Sequence, residues 1–303
     1  MQTPWGDISV CDAHVHFFSP AFFALLAAQS GQPAEEIGRT LDWRIPLSCE
    51  DLAAAWKQEL DEYSVAKAAL IASLPGDEAS VAAAVQLHPD RFWGFFMANP
   101  TAPDGAERVQ QALGYGHMQG VCLFPAMHRY AIGDPRVRPV FEAAAAHPGT
   151  IVFVHCGVLT VGVRRKLGLP SLFDMRYSNP IDLHAAAMEF PGVNFVIPHF
   201  GAGYLRESLM LCDLCPNVYL DTSSSNSWVR YQPQRLDLKD VFRKALEIAG
   251  PQRLLFGSDS SYFPRGWHAQ IFQTQVQALC DIEIAADHAG LILGGNLERL
   301  LAR

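Results

Sequence analysis

The sequence is short of charge, and of positive charge above all. Only 18% of its 303 residues are charged, and 31 acidic side chains outnumber 23 basic ones. A protein that tracks nucleic-acid phosphates needs a basic footprint, so nucleic acid is excluded as a partner. Long hydrophobic runs are missing too. Stretches such as Ile151–Val154 fall far short of the roughly 20 apolar residues of a bilayer span, so no membrane partner is expected. The opening Met1-Gln2-Thr3-Pro4-Trp5 has neither the basic nor the apolar region of an export signal, which predicts a cytoplasmic protein. Cysteine is sparse. Seven residues scattered from Cys11 to Cys280 exclude a disulfide-stapled mini-protein, and the lone CxxC of Cys212 and Cys215 reads as buried free thiols. Lysine is absent between Lys67 and Lys166, and no GxGxxG follows the first apolar run, which argues against a dinucleotide-binding sheet.

Half of the chain is hydrophobic, enough for a sizeable core and too much for a disordered protein. No linker or low-complexity tract divides it. Short apolar runs rich in β-branched and aromatic residues recur at 8–12, 68–73, 92–98, 120–124, 150–155, 193–198, 218–220 and 253–256. Helix-like stretches lie between them, at 49–60, 78–87, 106–113, 138–146, 181–189, 205–214 and 238–249. The runs are continuous rather than alternating, the signature of strands covered on both faces. Strands alternating with helices in this way predict a single-domain α/β protein over 1–303, a (β/α)8 TIM barrel. Two long connections, 17–48 and 156–179, follow strands and are expected to form active-site loops.

Polar residues recur at the ends of these strands. The first ends in Cys11-Asp12-Ala13-His14-Val15-His16, and alternate residues of a strand share a face, so His14 and His16 point the same way. Val154-His155-Cys156-Gly157, Pro198-His199-Phe200-Gly201 and Phe256-Gly257-Ser258-Asp259 repeat the placement. Taken singly, His155 reads as a core histidine, and His199 or Asp259 as a helix cap. Four histidines and an aspartate on one barrel rim converge on one small volume, which points to a metal site. The other histidines form a control, because His88 and His147 simply precede prolines. His128, after the fourth strand, is the one that could line the pocket.

These motifs resemble the amidohydrolase superfamily, and more narrowly its amidohydrolase-2 branch of aminocarboxymuconate-semialdehyde decarboxylase-like enzymes, lactonases and hydratases. The segment 292–301, Ile-Leu-Gly-Gly-Asn-Leu-Glu-Arg-Leu-Leu, is similar to that branch's terminal helix, so the resemblance runs the length of the chain. It implies a distorted (β/α)8 barrel in which His14, His16, His155 and Asp259 ligate one divalent metal. His199 would stand beside the metal-activated water, and Asp259 would also act as general base. Zinc suits three imidazoles and a carboxylate best, with manganese, iron and cobalt compatible. Binuclear members carry a bridging lysine on the fourth strand, where this chain has Gly120-Val121-Cys122-Leu123-Phe124. One metal is therefore implied. Cys122 is read as a buried apolar residue rather than a ligand to a second zinc.

Arg44, Arg129, Arg164, Arg165, Arg230 and Arg265 lie on rim segments, together with Phe17, Phe18, Trp43, Phe124, Phe173, Tyr177, Trp228, Tyr262 and Trp267. Arg44, Phe124, Arg165 and Trp267 are the expected substrate-binding set, for a small anionic molecule gripped by arginine and walled by aromatics. The first functional reading is a metal-dependent hydrolase of a small cyclic ester, amide or related carboxylate-bearing substrate, with Asp259 moving the proton and His199 steadying the oxyanion. The alternative is a non-oxidative, metal-dependent decarboxylase (carboxy-lyase) of a small unsaturated or aromatic acid. A catalytically silent binding barrel is a third reading, opposed by the complete ligand set. A homodimer is the default assembly.

Overall fold

A computed structural model of the chain describes residues 1–160 and 162–302. After a short hairpin of Gln2–Thr3 and Gly6–Asp7, eight parallel strands follow in sequential order around one sheet. They are β1 (Cys11–Phe17), β2 (Lys67–Ala72), β3 (Phe92–Ala98), β4 (Met118–Leu123), β5 (Ile151–Val154), β6 (Asn194–Ile197), β7 (Val218–Asp221) and β8 (Leu254–Leu255). The sheet closes where β1 meets the segment after β8. Val15 bridges Ser260, Ala13 N–H donates to Phe256 O, and Asp259 N–H donates to His14 O. The expected (β/α)8 barrel is therefore present.

Its side chains sort into two layers. Val15, Phe17, Leu70, Phe96, Val121 and Val152 face outward into a core shared with the surrounding helices. Cys11, Ala13, Ala69, Ile71, Phe95, Cys122, Phe153, Val196 and Leu255 fill the barrel. Leu297, Leu300 and Leu301 of the terminal helix Asn296–Leu301 join this inner cluster and plug its lower end.

The first strand runs over Cys11–Phe17 rather than ending at residue 12 as the apolar pattern suggested. The cause is a register shift against β2 between Asp12 and Val15. Cys11 and Ala13 are inside and Val15 and Phe17 outside, so the alternation changes phase at His14. Such a bulge re-aims one side chain. Here it turns His14 inward to join His16.

The two long connections are not loose loops. The first contains helices Pro20–Ser30 and Ala34–Leu41, and the second a short helix, Gly162–Lys166, with Val161 outside the described residues. Phe22, Phe23, Leu26, Ile37, Leu41 and Val163 form a small core of their own that roofs the barrel mouth. Among the described residues no helix is long and apolar enough to cross a membrane.

Candidate metal centre

Five titratable side chains meet at the C-terminal ends of the strands. The ring of His14 lies 5.2 Å from that of His16, 5.4 Å from His155 and 5.1 Å from His199, centre to centre. Asp259 Oδ1 is 3.4 Å from His16 Nε2 and 4.0 Å from His14 Nε2. Two overlapping groups, His14–His155–His199 and His14–His16–Asp259, each offer ligand atoms within 4.8 Å of one another.

The surrounding hydrogen bonds assign the tautomers. His14 Nδ1 lies 2.6 Å from Asp221 Oδ2, an acceptor, so it carries the proton and its Nε2 a lone pair. Ser73 Oγ donates to Ile71 O and therefore accepts from His16 Nδ1 at 2.9 Å, leaving a lone pair on His16 Nε2. Ser223 Oγ donates to Asp221 Oδ2 and accepts from His199 Nδ1 at 2.8 Å, with the same result at His199 Nε2. His155 stacks on Phe124 with ring centres 3.7 Å apart. Its two ring nitrogens and His14 Nε2 are buried without any hydrogen-bond partner. Buried polar atoms are rarely left so. Lone pairs and a carboxylate facing one another with no donor between them fit a divalent cation, and the donor set suits one that accepts imidazole and carboxylate.

Electrostatics agree. Burial holds the imidazoles of His16 and His199 below their ordinary pKa. His155 is pushed well below it by burial and then by the neighbouring rings of His14, His199 and His16. His14 is the exception: burial acts in the same direction but is overridden by Asp221, so its pKa is raised and a bound cation would displace the proton from Nε2. Burial works against ionisation of Asp259, yet the imidazoles of His16, His199 and His14 hold it well below the usual carboxylate range. Neutral imidazole and ionised carboxylate are the forms that bind metal. The partnering of His14 by Asp221 is the kind of outer contact that fixes a ligand's tautomer and orientation.

Backbone strain accumulates at the same place. His199 (φ 57°) and Asp259 (φ 60°) both occupy the left-handed region, uncommon for such residues and typical of functional sites. Gly257 makes the close packing here feasible, because a Cβ on it would lie 2.7 Å from Asp221 Oδ1 and 2.9 Å from His14 Cβ.

Above the cluster is a cavity of about 500 Å³ whose lining includes His16, His155, His199 and Asp259. Phe18, Trp43, Phe124, Phe173, Tyr262, His128 and Arg265 also line it, as the rim reading anticipated. Three of the four residues expected to bind substrate lie elsewhere. Arg44 faces a separate surface groove and lays its guanidinium over Phe263 at 4.7 Å. Arg165 is exposed on the outer side of helix Gly162–Lys166, and its neighbour Arg164 reaches the cavity instead. Trp267 is buried beneath the site, where its Nε1 donates to Asp12 Oδ2 at 2.8 Å. Asp12 also accepts from the backbone N–H groups of His14 and Ser258, so Trp267 supports the closure of the barrel rather than the substrate. Of that set only Phe124 lines the cavity. Cys122 packs inside the barrel, and burial raises its thiol pKa far above normal, so it packs as an apolar residue. All seven cysteines are free.

Asp221, Ser223 and Ser73 were not singled out from the sequence. Asp221 ends the run Val218-Tyr219-Leu220 just as His155 ends its own strand. The rule that found the histidines could have found it.

Comparison with known proteins agrees with this picture. The model of the amidohydrolase family, in its amidohydrolase-2 form, matches residues 11–303. A 6-methylsalicylic acid decarboxylase from Penicillium expansum is 26% identical, over 86% of this chain and 87% of its own length. Protein fluG of Emericella nidulans is 36% identical over 87 residues, which is 29% of this chain and only 10% of that larger protein. Among solved structures, 5-carboxyvanillate decarboxylase LigW from Sphingomonas paucimobilis superposes with a TM-score of 0.65 at 16% identity, covering 97% of this chain and 99% of its own. A 5-carboxyvanillate decarboxylase from Novosphingobium aromaticivorans with bound manganese gives 0.67 at 14% identity, with both chains fully covered. A probable 2-pyrone-4,6-dicarboxylic acid hydrolase from Acinetobacter baumannii gives 0.62 at 16% identity, covering 98% and 100%. At these identities the superpositions speak for the fold, while the family match covers the barrel and every residue of the cluster. The chain belongs to the amidohydrolase family, whose amidohydrolase-2 members are metal-dependent enzymes, hydrolases or decarboxylases.

Proposed function

We propose that this enzyme is a non-oxidative, metal-dependent decarboxylase of a small aromatic carboxylic acid. The observation that carries the reading is the shape and polarity of the cavity. Its lining joins the metal-site groups His16, His155, His199 and Asp259 to the aromatic rings of Phe18, Trp43, Phe124, Phe173 and Tyr262, with the cations Arg164, Lys166 and Arg265 also present. Such a slot suits one flat ring with its polar edge down. The likeness to a 6-methylsalicylic acid decarboxylase supports the same class. A lactone hydrolase acting on a dicarboxylate is the rival, and the cations Arg164, Lys166 and Arg265 in the cavity lining are the feature that favours it.

His14, His16, His155 and Asp259 would hold one divalent cation, zinc or manganese. When bound, it would act as a Lewis acid toward oxygens on the substrate's polar edge. The chain's own groups do the rest. Decarboxylation breaks the bond between ring and carboxylate, leaves the electron pair on the ring carbon, and needs a proton delivered to that carbon as CO2 departs. Asp259 Oδ and His199 Nε2 line the cavity and are unprotonated at rest, so one of them must first take up a proton from water or from the acidic substrate and then pass it to the ring carbon. Ser223, between His199 and Asp221, keeps the His199 ring oriented. The rings of Phe124 and Tyr262 fix the substrate plane and exclude water. Seven free thiols suit a reducing, cytoplasmic compartment.

Incubating the metal-loaded enzyme with a panel of hydroxybenzoic acids and lactones in H2 18O tests the reading. The expectation is CO2 released in equal amount to the decarboxylated arene, with no 18O in the organic product. A ring-opened, 18O-labelled acid without CO2 would establish the hydrolase instead.

A further inference from the structure

Of the six rim arginines, five are occupied or turned away. Arg44 packs on Phe263, Arg164 donates to Gln29 Oε1 and Pro170 O, and Arg230 donates to Tyr231. Arg129 and Arg165 are exposed outside the cavity lining. Arg164 and Lys166 also line the cavity, the first occupied as above and the second exposed, whereas Arg265 is partly buried, lines the cavity and sits on the loop that carries Asp259. Its Nη2 donates to Ser261 Oγ at 3.0 Å and to the Asp259 carbonyl at 3.3 Å, neither of them a charged partner. Its Nε is buried and finds no hydrogen-bond partner.

The guanidinium is also immobilised through its face. It lies 4.4 Å over the Tyr262 ring, and Tyr262 stacks on Trp43 at 4.1 Å and 14°. Beyond Trp43 the stack continues to Phe18 at 5.8 Å, and Phe18 lies on Phe22 at 4.0 Å and 3°. Stacking holds the guanidinium by its face, so its in-plane N–H groups stay the ones that bond: Nη2 has only two neutral acceptors to exchange and Nε has none, and a carboxylate would supply charged oxygens in their place.

We propose that Arg265, clamped by the Tyr262–Trp43 stack, is the residue that grips the carboxylate of the substrate and makes the site select acids over their neutral amides. The inference rests on the reading that the substrate is a carboxylic acid, and it names the side chain that recognises that charge. It assigns the aromatic stack a second task beyond walling the cavity. By fixing the guanidinium plane it lowers the entropy lost when the fork closes on an anion, and so it sets how tightly the acid is held.

The test is calorimetric titration of the metal-loaded protein with benzoate and with benzamide, rings of equal shape that differ in charge. A hydrogen bond to a charged group contributes about 1.5–3 kcal/mol, so Arg265→Gln should weaken benzoate roughly 10- to 100-fold. Benzamide should change less than about twofold. Arg265→Lys keeps the charge but loses the fork, and should fall between. Tyr262→Leu should weaken benzoate a few-fold, with benzamide again unmoved. Equal weakening of both probes would mean that Arg265 only shapes the loop, and unchanged benzoate affinity would mean that it does not meet the carboxylate. Either result overturns the proposal. If Arg265→Gln misfolds, Arg265→Lys decides by the same two probes. The labelling experiment above is separate: selective loss of benzoate in an enzyme that hydrolyses would retain Arg265 as the anchor and remove the decarboxylase.

Discussion

The two ends of the barrel interior are built from the same strands, yet they do opposite things. At the lower end, Cys11, Ile151 and Leu255 pack against Leu297, Leu300 and Leu301, all apolar and almost wholly buried. A few residues higher, His14, His155, His199 and Asp221 are buried to the same degree but are polar, and several of their nitrogens lack partners. Burying apolar surface stabilises a fold, whereas burying unpaired polar atoms costs free energy. The lower end is thus the source of stability and the upper end a store of unsatisfied valence. The difference teaches that stability and chemistry are separated here by height along the strands rather than by domain.

That separation can be broken from either end. The largest effect is expected from Asp259→Asn, which in the proposed function removes both a metal ligand and a proton carrier. The catalytic rate should fall by at least about 10²–10⁴-fold while the melting temperature holds or rises, measured by turnover and by thermal unfolding. The converse change is Leu297→Ala in the plug. It should cost about 2–5 kcal/mol of stability in denaturant titration, with kcat of the remaining folded protein unchanged. A loss of activity in proportion to the lost contact would show that the two ends are coupled.

Asp221→Asn probes the support beneath the site. Outer-shell partners of metal-bound histidines contribute about 10–100-fold in metal affinity, and a competition titration against a chelator should find a loss of that size. No loss would mean that His14 needs no orienting group.

The smallest effect concerns His128, which burial drives down to a pKa of about 4. Its unfolded value is near 6.5. As pH falls from about 6.5 to 4, the unfolded chain takes up a proton that the folded chain refuses, so stability declines over that window and is full above it. The decline has an upper bound of about 3 kcal/mol, less after discounting for residual exposure. His128→Gln should flatten the pH dependence of unfolding between pH 4 and 6.5 without altering stability at pH 8 by the same amount.

Much of the architecture was legible. The strand at Phe92–Ala98 and the helices Glu78–Leu87, Arg138–Ala146 and Leu205–Leu214 fall where the patterns put them. So does the meeting of His14, His16, His155, His199 and Asp259, because strand ends in a closed parallel barrel must share a rim. What failed has local causes. The first strand lies later than the apolar pattern predicts because its bulge breaks the alternation. Helix Pro20–Ser30 was missed because Ala-Phe-Phe-Ala-Leu-Leu-Ala-Ala is apolar on every side and shows no helical period. Arg44, Arg165 and Trp267 lie outside the cavity because the direction of a loop side chain is set by packing between distant segments, which the local sequence does not show. The roof core that joins Phe22, Ile37 and Val163 leaves no trace in any one of those segments.

One cation held by both halves of the cluster is the central requirement of the proposed chemistry. Anomalous diffraction from crystals of the protein soaked in zinc or manganese measures this directly. The predicted result is a single peak about 2.0–2.2 Å from His14 Nε2, His16 Nε2, one His155 nitrogen and an Asp259 oxygen. A peak bound by His14, His155 and His199 but remote from Asp259, or no peak at the strand ends, would contradict it.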